Sequence, residues 1–334
     1  MNEAFRGVYT IPSTPLTPEL EIDWDGLRRV VDFCVECGAH GIVWPVNASG
    51  FATLSDDERL QGMQVVVEQT AGRIPVVLGT QGVSAPHAAM FSRHANALGA
   101  DAVIAMAPYI QALTEEDAIV EYYRAIDAAV DIPIFVQNHA RGSVLSVSTL
   151  VRLLGEVEHV EYIKEETFPV THIITQVREQ AGAKMKGIFG GAGGRYLLLE
   201  HPRGVDGQMP GCHITDVVVR LWNALESGHR EEAKRIFGMM APIFALETLR
   251  GTYYPEVLYR RGVIDFVGSR SGGESLIDDF DRLALDEILH DLVPLFTWDK
   301  GGPIRYSGVS VGASSHSIAS VPPSGGNVDP YDQQ

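Results

Sequence analysis

The sequence predicts an α/β protein, a (β/α)8 (TIM) barrel followed by a C-terminal helical extension. Three observations carry that prediction. Short β-rich runs alternate with stretches of helical periodicity. Eight such units fit into about 215 residues, the spacing of a closed parallel barrel. No Gly-rich phosphate loop follows the first run, in Gly7–Leu16, as a doubly wound sheet would normally show.

The predicted strands are Gly7–Ile11, Gly41–Val46, Pro75–Gly79, Ala102–Ala107, Pro133–Val136, Val160–Lys164, Lys186–Gly190 and Val205–Met209. Between them lie the helical stretches Asp25–Cys37, Ser55–Gln69, Ala85–Leu98, Glu115–Ala129, Val147–Leu154 and Val170–Glu179, then a short one, Arg195–Leu199. Ser55 precedes Asp56, Asp57 and Glu58, and Thr114 precedes Glu115, Glu116 and Asp117. A hydroxyl cap with acids in the first turn satisfies free N–H groups and the helix dipole. Gly72, Gly99 and Gly182 fall where helices should stop, and Pro75 and Pro133 open strands, where a missing N–H costs little. The expected organisation is a barrel over residues 1–212 and a helical region over 213–300 packed on it, containing Ile214–Glu226, Arg230–Leu249 and Asp286–Phe296. An irregular Gly/Ser/Pro-rich tail over 301–334 ends the chain.

Composition narrows the function. The 334 residues are 45% hydrophobic, which describes a globular protein with ample core, and a net charge of −17 argues against nucleic acid and anionic membrane surfaces as partners. No apolar run reaches the ~18 residues of a membrane span, and no basic-then-apolar leader is visible, so a cytoplasmic location is expected. Cys34 and Cys37 form a C-x-x-C pair inside a helical stretch, with no second pair to complete a zinc site; they read as two small residues on a helix. The eleven histidines are scattered and no H-E-x-x-H occurs, so no metal is expected.

Lys164 is the most informative residue. It lies in the β-type run Val160-Glu161-Tyr162-Ile163-Lys164, although lysine is among the residues least often buried. Two readings follow: a structural ion pair with Glu165 or Glu166, or an amine desolvated for attack on a carbonyl. Its place at the end of the sixth strand favours the second, because barrel chemistry sits at the C-terminal strand ends.

Several segments together resemble the dihydrodipicolinate synthase / N-acetylneuraminate lyase family, over roughly Gly7 to Leu249. Ile163-Lys164-Glu165 is similar to its Schiff-base segment. Asn47-Ala48-Ser49-Gly50-Phe51, with Thr53-Leu54-Ser55 and Glu58 behind it, is similar to its Gly-Thr-Thr-Gly-Glu loop. Ala107-Pro108-Tyr109 resembles the Pro-Tyr end of strand four, and Thr14-Pro15-Leu16 the opening Thr-Pro element. The resemblance implies a covalent imine between Lys164 and pyruvate or another 2-keto acid, no dissociable cofactor, and a homo-oligomer, dimer or tetramer. Within it, Ala48, Ser49 and Gly50 would offer donors to a substrate carboxylate, from backbone amides and the Ser49 hydroxyl. Arg141 aligns with a carboxylate-binding arginine. The glycines from Gly190 and Gly191 to Gly194 let a ligand approach the backbone, or form a plain turn. Met209-Pro210-Gly211 resembles a pocket-closing segment of the sugar-acid dehydratases.

The departures matter as much. The family's strand-five tyrosine, which relays protons, aligns with Val136; its first loop threonine with Ala48; its cross-subunit tyrosine with Ile110; its loop glutamate with Phe51. His139, just past strand five, is then a candidate general acid/base, as are Tyr109 and Glu166, while Gln137 and Asn138 can orient a hydroxyl but cannot act as bases. The expected function is a Schiff-base-forming lyase acting on pyruvate or a sugar-derived 2-keto acid, by aldol cleavage, condensation or dehydration. The synthase reaction proper and a non-catalytic 2-keto-acid-binding barrel are the alternatives.

Overall fold

The computed structural model describes residues 4–248, 253–270 and 277–309. Eight parallel strands close a barrel in chain order: β1 (Gly7–Thr10), β2 (Gly41–Trp44), β3 (Val76–Gly79), β4 (Ala102–Met106), β5 (Ile134–Asn138), β6 (Val160–Glu165), β7 (Gly187–Gly190) and β8 (Gly207–Gln208), with β8 returning to β1. The helices are α1 (Trp24–Glu36), α2 (Asp56–Thr70), α3 (Ala85–Ala97), α4 (Glu116–Asp127), α5 (Val147–Glu156), α6 (Val170–Gln180), the one-turn α7 (Leu197–Glu200) and α8 (Thr215–Glu226). Each of the first seven joins successive strands, and α8 follows β8 and packs on β1. The Ser55 cap forms as expected: its hydroxyl accepts from the Glu58 amide while Glu58 reaches back to the Ser55 amide at 2.8 Å.

Apolar side chains fill two layers. Tyr9, Val43, Val77, Ile104, Phe135, Tyr162 and Phe189 form the cluster inside the barrel; Val8, Ile42, Val103, Val136, Ile163 and Ile188 pack outward with the helices. Phe135 stacks on Tyr162 with centroids 4.5 Å apart, and Phe5, before β1, adds a third ring. This aromatic layer blocks the barrel axis, so a side chain two residues beyond Tyr162 faces the C-terminal mouth.

Beyond α8 come α9 (Arg230–Thr248), α10 (Tyr253–Arg260) and α11 (Asp279–Leu292). Leu249, at the predicted end of one stretch, and residues 310–334 of the predicted tail lie outside the described residues. Helix α11 begins seven residues before the predicted Asp286, because Asp278 caps it with Asp281 reaching back. Helix α10 has no counterpart in the prediction: it is short and carries Pro255 in its first turn. The predicted eighth strand shortens to two residues. A side chain at Gly207 would lie 2.2 Å from the Gly7 carbonyl oxygen, so the pairing of Gly207 with Gly7 that closes the barrel requires glycine.

Candidate active site

The alternation of β5 and β6 decides which side chains meet. Tyr162 faces inward and Ile163 outward, so Lys164 faces inward, Glu165 outward and the next residue, Glu166, inward again. Lys164 is 2% exposed, and its Nζ lies 3.0 Å from Glu166 Oε2. Gln137, paired in register with Lys164, donates its Nε2 to Glu166 Oε2 at 2.7 Å, and the Ala192 amide donates to Oε1 at 3.2 Å. Burial works against charge on Glu166, but the Lys164 ammonium, His139 and the Gln137 amide outweigh it and hold the carboxyl below its usual range. At neutral pH the site therefore contains a carboxylate against the lysine. Gly191 makes room for it: a Cβ there would stand 2.3 Å from Glu166 Oε1.

The opposite face of the same strand ends holds a second polar group. Asn138 donates to the Leu145 carbonyl and to Glu165 Oε2, at 3.0 and 2.9 Å, and accepts from the Leu145 amide. Glu165 also accepts from the Thr167 amide at 2.6 Å. Burial pushes Glu165 up to about 7, against the pull of these donors. Glu200, hydrogen-bonded by Gln208, is pushed up to about 8, again chiefly by burial.

This two-sided arrangement corrects three readings. Val136 does not stand beside the lysine; it points outward into the helix layer, and the inward position beside Lys164 belongs to Gln137. Asn138 is turned away from the mouth and fully engaged in holding the β5–α5 loop. Gly190 faces outward too, since a Cβ there would meet Gln208 and Glu200, so of the glycine pair Gly191 alone borders the site. Met209 belongs to the apolar cluster inside the barrel.

The remaining expected residues spread around the rim. His139 is half-buried, accepts the Arg141 amide on Nδ1 at 2.9 Å, and is held below the ordinary histidine range by burial, with Lys164 and Arg141 adding to the effect and Glu166 opposing it. A neutral imidazole with its proton on Nε2 follows. Arg141 is exposed and donates to Asn47 Oδ1 at 3.3 Å. Tyr109 sets its ring edge-on to Phe51, 5.1 Å between centroids, and burial raises its hydroxyl above the ordinary range. Arg59 lies over Phe91 at 3.6 Å and near Phe51, so Phe51 anchors the loop where the family carries glutamate.

The Ala48–Gly50 loop is a tight turn whose Ser49 and Gly50 amides are spent on the Val46 and Asn47 carbonyls, at 3.0 Å each. Fewer amides are free than the sequence suggests. The donors it keeps for a ligand, among the described contacts, are the Ala48 amide, the Ser49 hydroxyl and the buried, unpartnered Asn47 Nδ2. Thr14 braces the turn by donating to the Ser49 carbonyl at 2.7 Å.

A cavity of 290 Å³ opens beside this loop. One wall is Ser13, Thr14 and residues 47–50; the other is Glu247 and Tyr254 from α9 and α10 with Arg270 behind them. Lys164 and Glu166 are not part of its wall, but Tyr254, which is, senses the charge of Glu166 as well as Glu247. Sequence reasoning missed Asn47, Glu247 and Tyr254. The signal for Glu247 was an acid inside the apolar run Ile243-Phe244-Ala245-Leu246, the counterpart of the buried lysine. No group of metal-ligating side chains, and no helix long and apolar enough to cross a membrane, occurs among the described residues.

The fold and the site define a closed (β/α)8 barrel with a buried, inward-facing lysine at the end of its sixth strand. Residues 4–264 match the Dihydrodipicolinate synthetase family, and the chain belongs to that family. It is 30% identical over 261 residues to L-2-keto-3-deoxyarabonate dehydratase of Azospirillum brasilense, covering 77% of this chain and 84% of that one. It is 32% identical over 245 residues to 4-hydroxy-tetrahydrodipicolinate synthase of Pelobacter propionicus, covering 70% and 79%. Dihydrodipicolinate synthase of Rhodopseudomonas palustris superposes with a TM-score of 0.78 at 24% identity, covering 86% of this chain and 97% of that one, a likeness of fold.

Proposed function

We propose that this lyase is a Schiff-base-forming dehydratase of a 2-keto-3-deoxy sugar acid, with Lys164 as the nucleophile and Glu166 as the proton carrier. The observation that carries the reading is the contact between the buried Lys164 ammonium and the Glu166 carboxylate. Glu166 takes the ammonium proton as substrate enters; the free amine adds to C2, and Glu166 returns that proton to the C2 hydroxyl, which leaves as water to give the protonated imine. Glu166, ionised again, removes a C3 proton, and the electron pair enters the C2–C3 bond as an enamine. The C4–O bond then breaks; Glu166 returns its proton to the departing hydroxyl, which leaves as water. Hydrolysis of the imine restores the lysine.

Gln137 supports this assignment from the position beside the lysine: its amide cannot move a proton, but it fixes the carboxylate that can. The same substitution counts against the synthase reaction, whose strand-five tyrosine has no counterpart at the inward position. The similarity to a sugar-acid dehydratase favours dehydration over aldol cleavage. Ala48, Ser49 and Asn47 would hold the substrate carboxylate, and no further cofactor is required. A homo-oligomer in the cytoplasm completes the proposal. Ile110 and Val144 are 77% and 59% exposed on loops joined through Ser143, an apolar surface suited to a second copy.

Borohydride reduction in the presence of pyruvate tests the covalent step. The expected product is a stable adduct on Lys164 in the wild type and none in Lys164→Ala. A folded wild-type protein that gains no mass defeats the proposal.

A further inference from the structure

Among the described residues, Glu247 is the one acidic side chain on the cavity wall, and the lysine–glutamate pair makes no use of it. It is 5% exposed, and its Oε1 has no hydrogen-bond partner among the described residues. His213 Nε2 lies 3.1 Å from that oxygen without hydrogen-bond geometry, and both ring nitrogens of this buried histidine are likewise unpartnered among the described residues. Arg195 stands 3.9 Å from Oε2 but donates to the Phe244 carbonyl at 2.9 Å. Tyr254 stacks on His213, 4.4 Å between centroids, and completes the wall. A buried carboxylate oxygen left open costs stability unless something donates to it.

The β7 turn relates this group to the proposed proton carrier. Gly191 packs under Glu166, and Gly193, in the left-handed region at φ +69°, packs under Glu247, where a Cβ would lie 2.7 Å from Oε2. Gly191 and Gly193 are two residues apart, a span of at most about 7 Å, so the two carboxylates contact one turn, and Tyr254 senses the charge of both.

We propose that Glu247, with Tyr254 beside it, is the subsite for the terminal hydroxyl of the substrate, and that it selects acids with a neutral hydroxylated tail over acids ending in a second carboxylate. The assignment rests on the dehydratase reading and adds the substrate class. A hydroxyl donates to the open Glu247 oxygen; a carboxylate has no proton to donate and meets like charge. Of the nearby arginines among the described residues, only Arg195 faces Glu247, at 3.9 Å and already donating to the Phe244 carbonyl; Arg141 is bonded to Asn47, and Arg270 is paired with Glu58 at 2.8 Å.

L-2-keto-3-deoxyarabonate and 4-hydroxy-2-oxoglutarate test this directly, because they differ only in the terminal carbon. Borohydride trapping rates at Lys164 would be measured for both, and for pyruvate, which has no tail. The wild type should trap the pentonate at least about tenfold better than the dicarboxylate. In Glu247→Gln that preference should shrink several-fold, and in Glu247→Ala, with folding checked by thermal unfolding, the ratio of pentonate to pyruvate trapping should fall about tenfold. Glu247→Asp keeps the charge but withdraws it by one methylene, and should fall between. Unchanged ratios alongside normal pyruvate trapping overturn the subsite alone. No wild-type adduct with pyruvate overturns the Schiff-base reading and the subsite with it.

Discussion

Glu165 and Glu166 are neighbours in the chain and opposites in the molecule. Glu166 faces the barrel mouth against an ammonium and is held below the ordinary carboxylate range. Glu165 faces the helix layer, meets neutral donors from Thr167 and Asn138, and is pushed up to about 7. Both are buried. What separates them is the presence of a cation, which compensates the lost hydration of one charge while neutral donors do so only partly for the other. The inner face of the strand ends is thus an ionic site and the outer face a nearly neutral scaffold, although the sequence writes them as consecutive acids.

The sharpest way to break this contrast is Glu166→Gln, which leaves the lysine without its carboxylate. Turnover of a 2-keto-3-deoxy sugar acid should drop by a factor on the order of 10²–10⁴, read in steady-state kinetics, while Glu165→Gln should change it far less. Equal losses for the two variants would erase the distinction drawn between the faces. Next in size is Gly191→Ala, whose methyl group would stand 2.3 Å from Glu166 Oε1 and push it away. Displacing the carboxylate by about an ångström should lower kcat by roughly ten- to a hundredfold, with pyruvate trapping less affected, because imine formation asks less of its position.

The smallest effect belongs to the outer face and appears in stability. Glu200 has its carboxyl raised from 4.5 to about 8, so between those values the folded state binds more protons than the unfolded one. Its contribution to stability is full below the lower value and is lost as pH rises through the window. Glu200→Gln should therefore match the wild type near pH 4.5 and exceed it above pH 8, by an amount on the order of a few kcal/mol at most. Urea unfolding across pH reads this, and parallel curves for the two proteins would show that Glu200 ionises normally in the fold.

The barrel was legible because alternating units, the Ser55 cap and glycine stops agree along the chain, although Thr114 does not cap α4, whose N-cap is Glu115 without a side-chain bond. Lys164 was legible because a cation in an apolar strand is conspicuous. The sorting of Val136, Gln137 and Asn138 was not, and the reason is physical. A parallel strand buried on both faces carries no inside–outside alternation in its residue types, so Val136 and Gln137 exchange roles on a one-residue ambiguity that only the register with Lys164 resolves. Glu247 and Tyr254 were hidden differently: they arrive from helices after the barrel, and no local pattern links them to a strand end 80 residues earlier.

That late arrival has a consequence for how the protein is made. All eight strands and Lys164 are complete by Gln208, whereas the second wall of the cavity, with Glu247, Tyr254 and Arg270, is encoded afterwards. A chain emerging from the ribosome delivers Lys164 first and this second wall last. Arg270 then fastens that wall to the beginning of the fold, bonding to Glu58 on α2 and to the Leu20 carbonyl. The final third of the molecule therefore supplies one side of the cavity, and a chain ending at β8 would carry the buried Lys164 without the Glu247 and Tyr254 wall.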